Sequence, residues 1–210
     1  PTRTYFVLQH GIFSTPEAAR SAQAALEDLG FAGIGEQRER IHVYAGLAVN
    51  RSDADALKRK LEQAEAEVYV KEYAVPAVRR IRWTGGKASG VAGGTAADYF
   101  HAADELVGLI ARLTAVRINA GEPMPFDAQS IETIGERHRA WSAHAVAAAA
   151  GLQEEDRETL ERMDNAVNTA VMLLAAYNRN PASSYLWQAQ AAALQYVLLE
   201  NGLLAKIAAD

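Results

Sequence analysis

The chain has 210 residues, of which 50% are apolar and 22% charged, and its formal net charge is −5. This is the composition of a folded protein rather than a disordered one, and the acidic balance weighs against broad nucleic-acid binding, which rests on a surplus of Lys and Arg. The absence of cysteine excludes a disulfide framework and a thiolate metal site. No run reaches the roughly 18 to 20 consecutive apolar residues that span a bilayer. No signal peptide is visible behind Pro1-Thr2-Arg3-Thr4, so membrane attachment is expected only through an anchor absent from this chain.

The first half contains a duplication. Phe6, Leu8, Gly11, Ala19 and Leu26 align with Ile41, Val43, Gly46, Ala54 and Leu61 at an offset of 35 residues. Each copy reads as an alternating strand, a helix-start signal, a helix of about 14 residues and a second strand. In the first copy, Tyr5 to Gln9 is β-rich, and Thr15 can cap a helix that has Pro16 at its first position. Ala18, Ala22, Ala25, Leu26 and Leu29 give that helix an apolar face, and Gly30 stops it. In the second copy, Ile41 to Ala45 alternates and Asn50 takes the capping place, with Asp53 positioned to reach back. Leu57 and Leu61 form the stripe, and Glu67 to Tyr73 is the closing strand. Two such units predict a four-stranded antiparallel sheet with both helices on one face, a ferredoxin-like βαββαβ arrangement.

Strand parity sorts the side chains. Phe6, Leu8, Ile41, Val43, Ala45, Val68 and Val70 are expected to face the helices. The opposite set is Tyr5, Val7, Gln9, Arg40, His42, Tyr44, Tyr69, Lys71 and Tyr73, which interleaves four tyrosines with polar groups. Neither of the two helices is left to cover that face. One reading is that these are strand formers over which the C-terminal half packs. The sharper reading is a binding platform, because aromatic rings with hydrogen-bonding neighbours suit flat polymers such as sugars or bases.

Phe6-Val7-Leu8-Gln9-His10-Gly11-Ile12-Phe13 resembles the opening strand of SPOR domains, a family in which an aromatic, an aliphatic, Gln, Gly and Phe recur at this spacing. The resemblance continues through the Ala-rich helix, Leu29-Gly30-Phe31, the strand end Val43 to Gly46, and Ala54 to Leu61, covering roughly residues 3 to 75. It implies binding to peptidoglycan glycan strands stripped of their stem peptides, with no catalytic residues, metal or cofactor. It further implies that the exposed sheet face is the glycan site, with Gln9 at the family's glutamine position; Arg40, His42 and Tyr44 carry over as positions only. Ala48 departs from the pattern, standing where an aromatic often follows the third strand.

Residues 79–94 change character. Arg79-Arg80-Ile81-Arg82-Trp83 is basic, and Gly85-Gly86-Lys87-Ala88-Ser89-Gly90 with Gly93-Gly94 is linker material. Four helical stripes follow: Phe100 to Leu113, Ile131 to Trp141, Leu160 to Leu174, and Leu186 to Leu204. They are broken at Gly121 to Pro125, Gly151 and Asn178 to Pro181, and predict an antiparallel bundle. Asp98 and His101 have metal-ligand spacing but lack a second such pair, and no nucleophile elbow, phosphate loop or zinc-binding helix motif is present.

The expected organisation is therefore α+β: a SPOR-like domain over residues 1–78, a linker over 79–94 and a helical bundle over 95–210. The order of parts resembles the extracytoplasmic region of the stage II sporulation protein B family. That implies a non-enzymatic protein at the septum of a Gram-positive, spore-forming bacterium, with septal wall-remodelling proteins as further partners. A nucleic-acid-binding ferredoxin-like domain, or an enzyme with an unrecognised site in the bundle, are the alternatives.

Overall fold

The computed structural model of the chain describes residues 2–76 and 96–207. The elements β1 (Arg3–Phe13), α1 (Pro16–Asp28), β2 (Ile34–Gln37), β3 (Ile41–Ala48), α2 (Arg51–Gln63) and β4 (Tyr69–Val75) follow in βαββαβ order. The strands make one antiparallel sheet in the order β2-β3-β1-β4. The linker expected over residues 79–94, with its basic cluster, lies outside the described residues.

Local chemistry sets the boundaries of the two helices. The Thr15 hydroxyl accepts from the Ala18 amide at 3.2 Å, with Pro16 opening α1 where a missing N–H leaves nothing unsatisfied. Asn50 Oδ1 accepts from the Asp53 amide at 2.8 Å, and its amide group donates to Asp53 Oδ2 at 2.8 Å. Gly30 ends α1 at φ +88°, where the Gly30 and Phe31 amides return to the carbonyls of Glu27 and Leu26.

Four long helices follow: α3 (Ala96–Ala120), α4 (Ala128–Gly151), α5 (Glu154–Arg179) and α6 (Ser183–Ile207). Their breaks fall at the expected loops. α5 lies along α6 and α3 along α4, while α3 also packs against α6 and α2. The first three helices of this set are amphipathic, but α6 is buried on nearly every side, from Leu186 and Trp187 to Leu204 and Ile207. A helix apolar all round belongs in the middle of a core.

The central position of α6 settles what happens to the sheet. A Cβ built on Gly35 would meet Ile41 and Gln23 of α1, so Gly35, Ile41 and their parity face α1. Glu36 and Tyr44, of opposite parity, join Tyr73, whose hydroxyl accepts from Asn201 of α6 at 3.0 Å. The helix therefore lies across the face that α1 and α2 leave bare, touching β2, β3 and β4. The apolar core is accordingly one cluster, running from Tyr5 and Leu8 in the sheet to Ile207 in α6.

Two features of β3 mark its contact with the helix. A Cβ on Gly46 would stand 2.9 Å from Leu8 Cδ1 of the neighbouring strand, so Leu8 would have to shift to admit one, while Gln190 and Trp187 of α6 would lie at ordinary contact distance, 3.5 and 3.7 Å. The pairing of β1 with β3 shifts register between Val7 and Gln9 and again between Gln9 and Gly11. Beside the first shift the Leu47 amide donates to the fully buried Gln190 side chain of α6 at 2.7 Å. The Gln190 amide group in turn donates to Thr114 Oγ1 at 2.7 Å and to the Ala111 carbonyl at 3.3 Å. One glutamine thus ties the sheet, α6 and α3 together with its hydrogen-bonding capacity largely used.

Candidate glycan-binding face

The nine residues expected on one open sheet face divide into two groups. Tyr5, Val7, Tyr44 and Tyr73 are buried, at 5%, 1%, 3% and 5% exposure. Gln9 and His42 are half-buried, while Arg40, Lys71 and Tyr69 are exposed, Tyr69 at 52%. The face that the sequence left uncovered is thus covered in part, because α6 supplies the apolar surface that the tyrosines pack against.

The covered group is held by a polar knot under α6. Both carboxylate oxygens of Glu36 accept tyrosine hydroxyls, from Tyr44 at 2.9 Å and from Tyr73 at 2.8 Å. Arg38 donates to the same carboxylate at 2.8 and 3.2 Å and lies 5.5 Å over the Tyr73 ring. The Tyr44 and Tyr73 rings meet edge to face at 6.4 Å. Burial first, and the Glu36 carboxylate second, push the Tyr44 and Tyr73 hydroxyls well above their ordinary range, so both remain donors at any physiological pH. Burial likewise raises Tyr5 to about 12. The Tyr44 and Tyr73 hydroxyls have partners inside the protein and are not available to a ligand.

The uncovered group forms a continuous band. Gln9 pairs in register with Tyr69 on β4, and two residues along the same ladder Val7 pairs with Lys71. On the other side Oε1 of the Gln9 side chain lies 3.3 Å from His42 Nδ1 on β3. Arg40 lies in the bend just before β3, with its guanidinium 3.5 Å from the Ile12 carbonyl of β1. The order Lys71, Tyr69, Gln9, His42, Arg40 therefore runs diagonally across β4, β1 and β3. Tyr69 donates to Glu67 at 2.7 Å, which leaves its ring face free and raises its hydroxyl, chiefly through that hydrogen bond. His10 Nδ1 lies 2.8 Å from the Glu67 carbonyl at the edge of the band.

The arrangement offers a half-exposed aromatic ring, an amide that both donates and accepts, an imidazole and two cations. It offers no nucleophile activated by a base. Among the described residues no group of three His, Asp or Glu side chains is placed to hold a metal ion. His101 is exposed and paired with Glu105 at 3.7 Å. The bundle interior holds polar pairs that the sequence did not announce: Tyr99 donates to Asp164 at 2.6 Å, and His138 Nε2 lies 2.8 Å from Asn168 Oδ1. The sequence also missed Glu200, fully buried on α6, bound by Arg3 at 2.8 Å. Its signal was a carboxylate inside an otherwise apolar helix. Burial raises the Glu200 carboxyl well above the ordinary glutamate range, and Arg3 and Tyr196 offset this only in part.

Residues of the first six elements thus make a four-stranded antiparallel sheet backed by two helices, with a polar and aromatic band on the other face. Residues 2–86 match the family model described as SPOR domain, so the N-terminal part of this chain is a SPOR domain, of the kind that binds peptidoglycan in division and sporulation proteins. Comparison with curated proteins and with solved structures finds no match. Such domains act in the extracytoplasmic region of the wall and septum. Among the described residues no helix is long and apolar enough to cross a membrane.

Proposed function

We propose that this protein binds peptidoglycan glycan strands freed of their stem peptides, without catalysis, and that the contact is made by the band Lys71, Tyr69, Gln9, His42 and Arg40. The observation that carries the reading is the division of the sheet face. α6 takes Tyr5, Val7, Tyr44 and Tyr73 into the core, and the SPOR glutamine position remains reachable beside a bare tyrosine ring.

Sugar rings stack on aromatic faces, and hydroxyls and N-acetyl groups exchange hydrogen bonds with an amide such as Gln9. A stem peptide on each muramic acid would project into the flat floor of the band, so peptide-bearing strands are disfavoured sterically. The helical half, fused to the sheet through α6, serves as a rigid module that presents the band and binds septal wall-remodelling partners. A role in positioning wall machinery at a sporulation or division septum, as in the stage II sporulation protein B family, is part of the same proposal.

Co-sedimentation of the full chain with purified sacculi tests it, before and after treatment with an amidase that removes stem peptides. Binding that rises after treatment is expected; binding to neither form contradicts the reading.

A further inference from the structure

The band carries a cation at each end. Arg40 closes it in the bend just before β3 and Lys71 closes it on the edge strand β4, and both are exposed. Neither forms an ion pair among the described residues. Glu36 is held by Arg38 and two tyrosines and Glu67 by the Tyr69 hydroxyl, while the exposed Glu39 and Glu72 are the chain neighbours of Arg40 and Lys71, Glu72 at the opposite parity of β4. The register separates Ile41, next to Arg40, from Lys71 by two strand spacings and several residues along the ladder, a span on the order of 20 Å. Between them lie Tyr69, Gln9 and His42, with the Glu67 carboxylate held by the Tyr69 hydroxyl.

Such a band fits a linear polymer that carries negative charges at intervals, with neutral, stackable rings between them. An amidase produces that polymer from peptidoglycan. Hydrolysis of the amide joining the lactyl group of muramic acid to its stem peptide leaves a free carboxylate on alternate sugars. Resting on the glycan-binding reading above, we infer that Arg40 and Lys71 read these newly exposed lactyl carboxylates. Selectivity for stripped strands is then positive as well as steric: the missing peptide removes a clash and its removal creates the charge that the two cations bind. Arginine can grip a carboxylate with two parallel hydrogen bonds and lysine as a point charge. With one carboxylate per disaccharide, a single strand several sugars long can meet both ends together.

The test compares two oligosaccharides of equal length on the full chain by calorimetry at low salt. One is amidase-stripped glycan, with free lactyl carboxylates; the other is a chitin oligosaccharide, the same type of backbone without lactyl groups. The stripped glycan is expected to bind about tenfold or more tightly, and the ratio is expected to fall towards one in R40Q/K71Q. Equal affinities in the unaltered chain, or a ratio that survives the double substitution, would overturn the inference while leaving glycan binding intact. If neither oligosaccharide binds, the glycan-binding reading fails first and this inference falls with it.

Discussion

The covered and uncovered parts of one sheet face are built from the same kinds of residue and end in opposite roles. Tyr44 and Tyr73 lie under α6, with their hydroxyls bound to Glu36 and their rings in the core. Tyr69, on the same strand as Tyr73 and four residues away, keeps its ring in solvent. What separates them is the reach of one helix. A tyrosine on a strand has no intrinsic assignment as core or platform; the neighbouring layer decides.

That difference can be broken deliberately. The largest effect is expected where the helix meets the sheet. Trp187 packs edge to face on Phe31 at 4.9 Å and is 3% exposed, so Trp187→Ala should cost about 3–5 kcal/mol in urea unfolding. Glycan affinity of the folded fraction should hardly change, because Trp187 stands on the covered side. Tyr69→Ala should do the reverse. Loss of one stacking ring is worth about 1–3 kcal/mol of binding, and stability should move by less than about 0.5 kcal/mol at so exposed a position. An unfolding midpoint lowered as much by Tyr69→Ala as by Trp187→Ala would erase the distinction between the two groups.

A pH experiment sharpens the account of the helix. Glu200 has its folded-state carboxyl raised above the unfolded value, so the folded protein holds that proton more tightly. Its contribution favours the folded state at low pH and is lost as pH rises from the ordinary glutamate range through the raised value. Stability of the unaltered chain relative to Glu200→Gln should therefore decline across that window; a relative stability that rises there would contradict the assignment. The smallest effects belong to the helix caps. Thr15→Ala and Asn50→Ala should each cost about 1 kcal/mol, measured by thermal unfolding, with glycan binding unaltered.

Much of this was legible in the sequence. The duplication at 35 residues, the caps at Thr15 and Asn50, and the stops at Gly30 and Gly121 located the elements of both halves, because these are local signals with local causes. Parity placed Gln9, His42 and Tyr44 on one face correctly. The cover over that face was not legible in the same way. The sequence read α6 as one more amphipathic stripe, although Ala189, Ala191, Ala192 and Ala193 flank its leucines closely enough to bury the helix all round. Leu47 and Gln190 lie 143 positions apart, and only their meeting explains why an apolar helix carries an amide. Long-range packing of that kind leaves small residues and isolated polar groups as its traces, and those traces have no single local meaning.

The most direct test of the central claim is a pair of substitutions on the full chain, Tyr69→Ala and Tyr44→Phe, each assayed by co-sedimentation with amidase-treated sacculi. Tyr44→Phe keeps the ring and removes only the hydroxyl that Glu36 already holds. If glycan meets the uncovered band, Tyr69→Ala should lower binding about tenfold or more and Tyr44→Phe should bind like the unaltered chain. Loss of binding in Tyr44→Phe with Tyr69→Ala unaffected would contradict the account and place the glycan on the face that α6 covers.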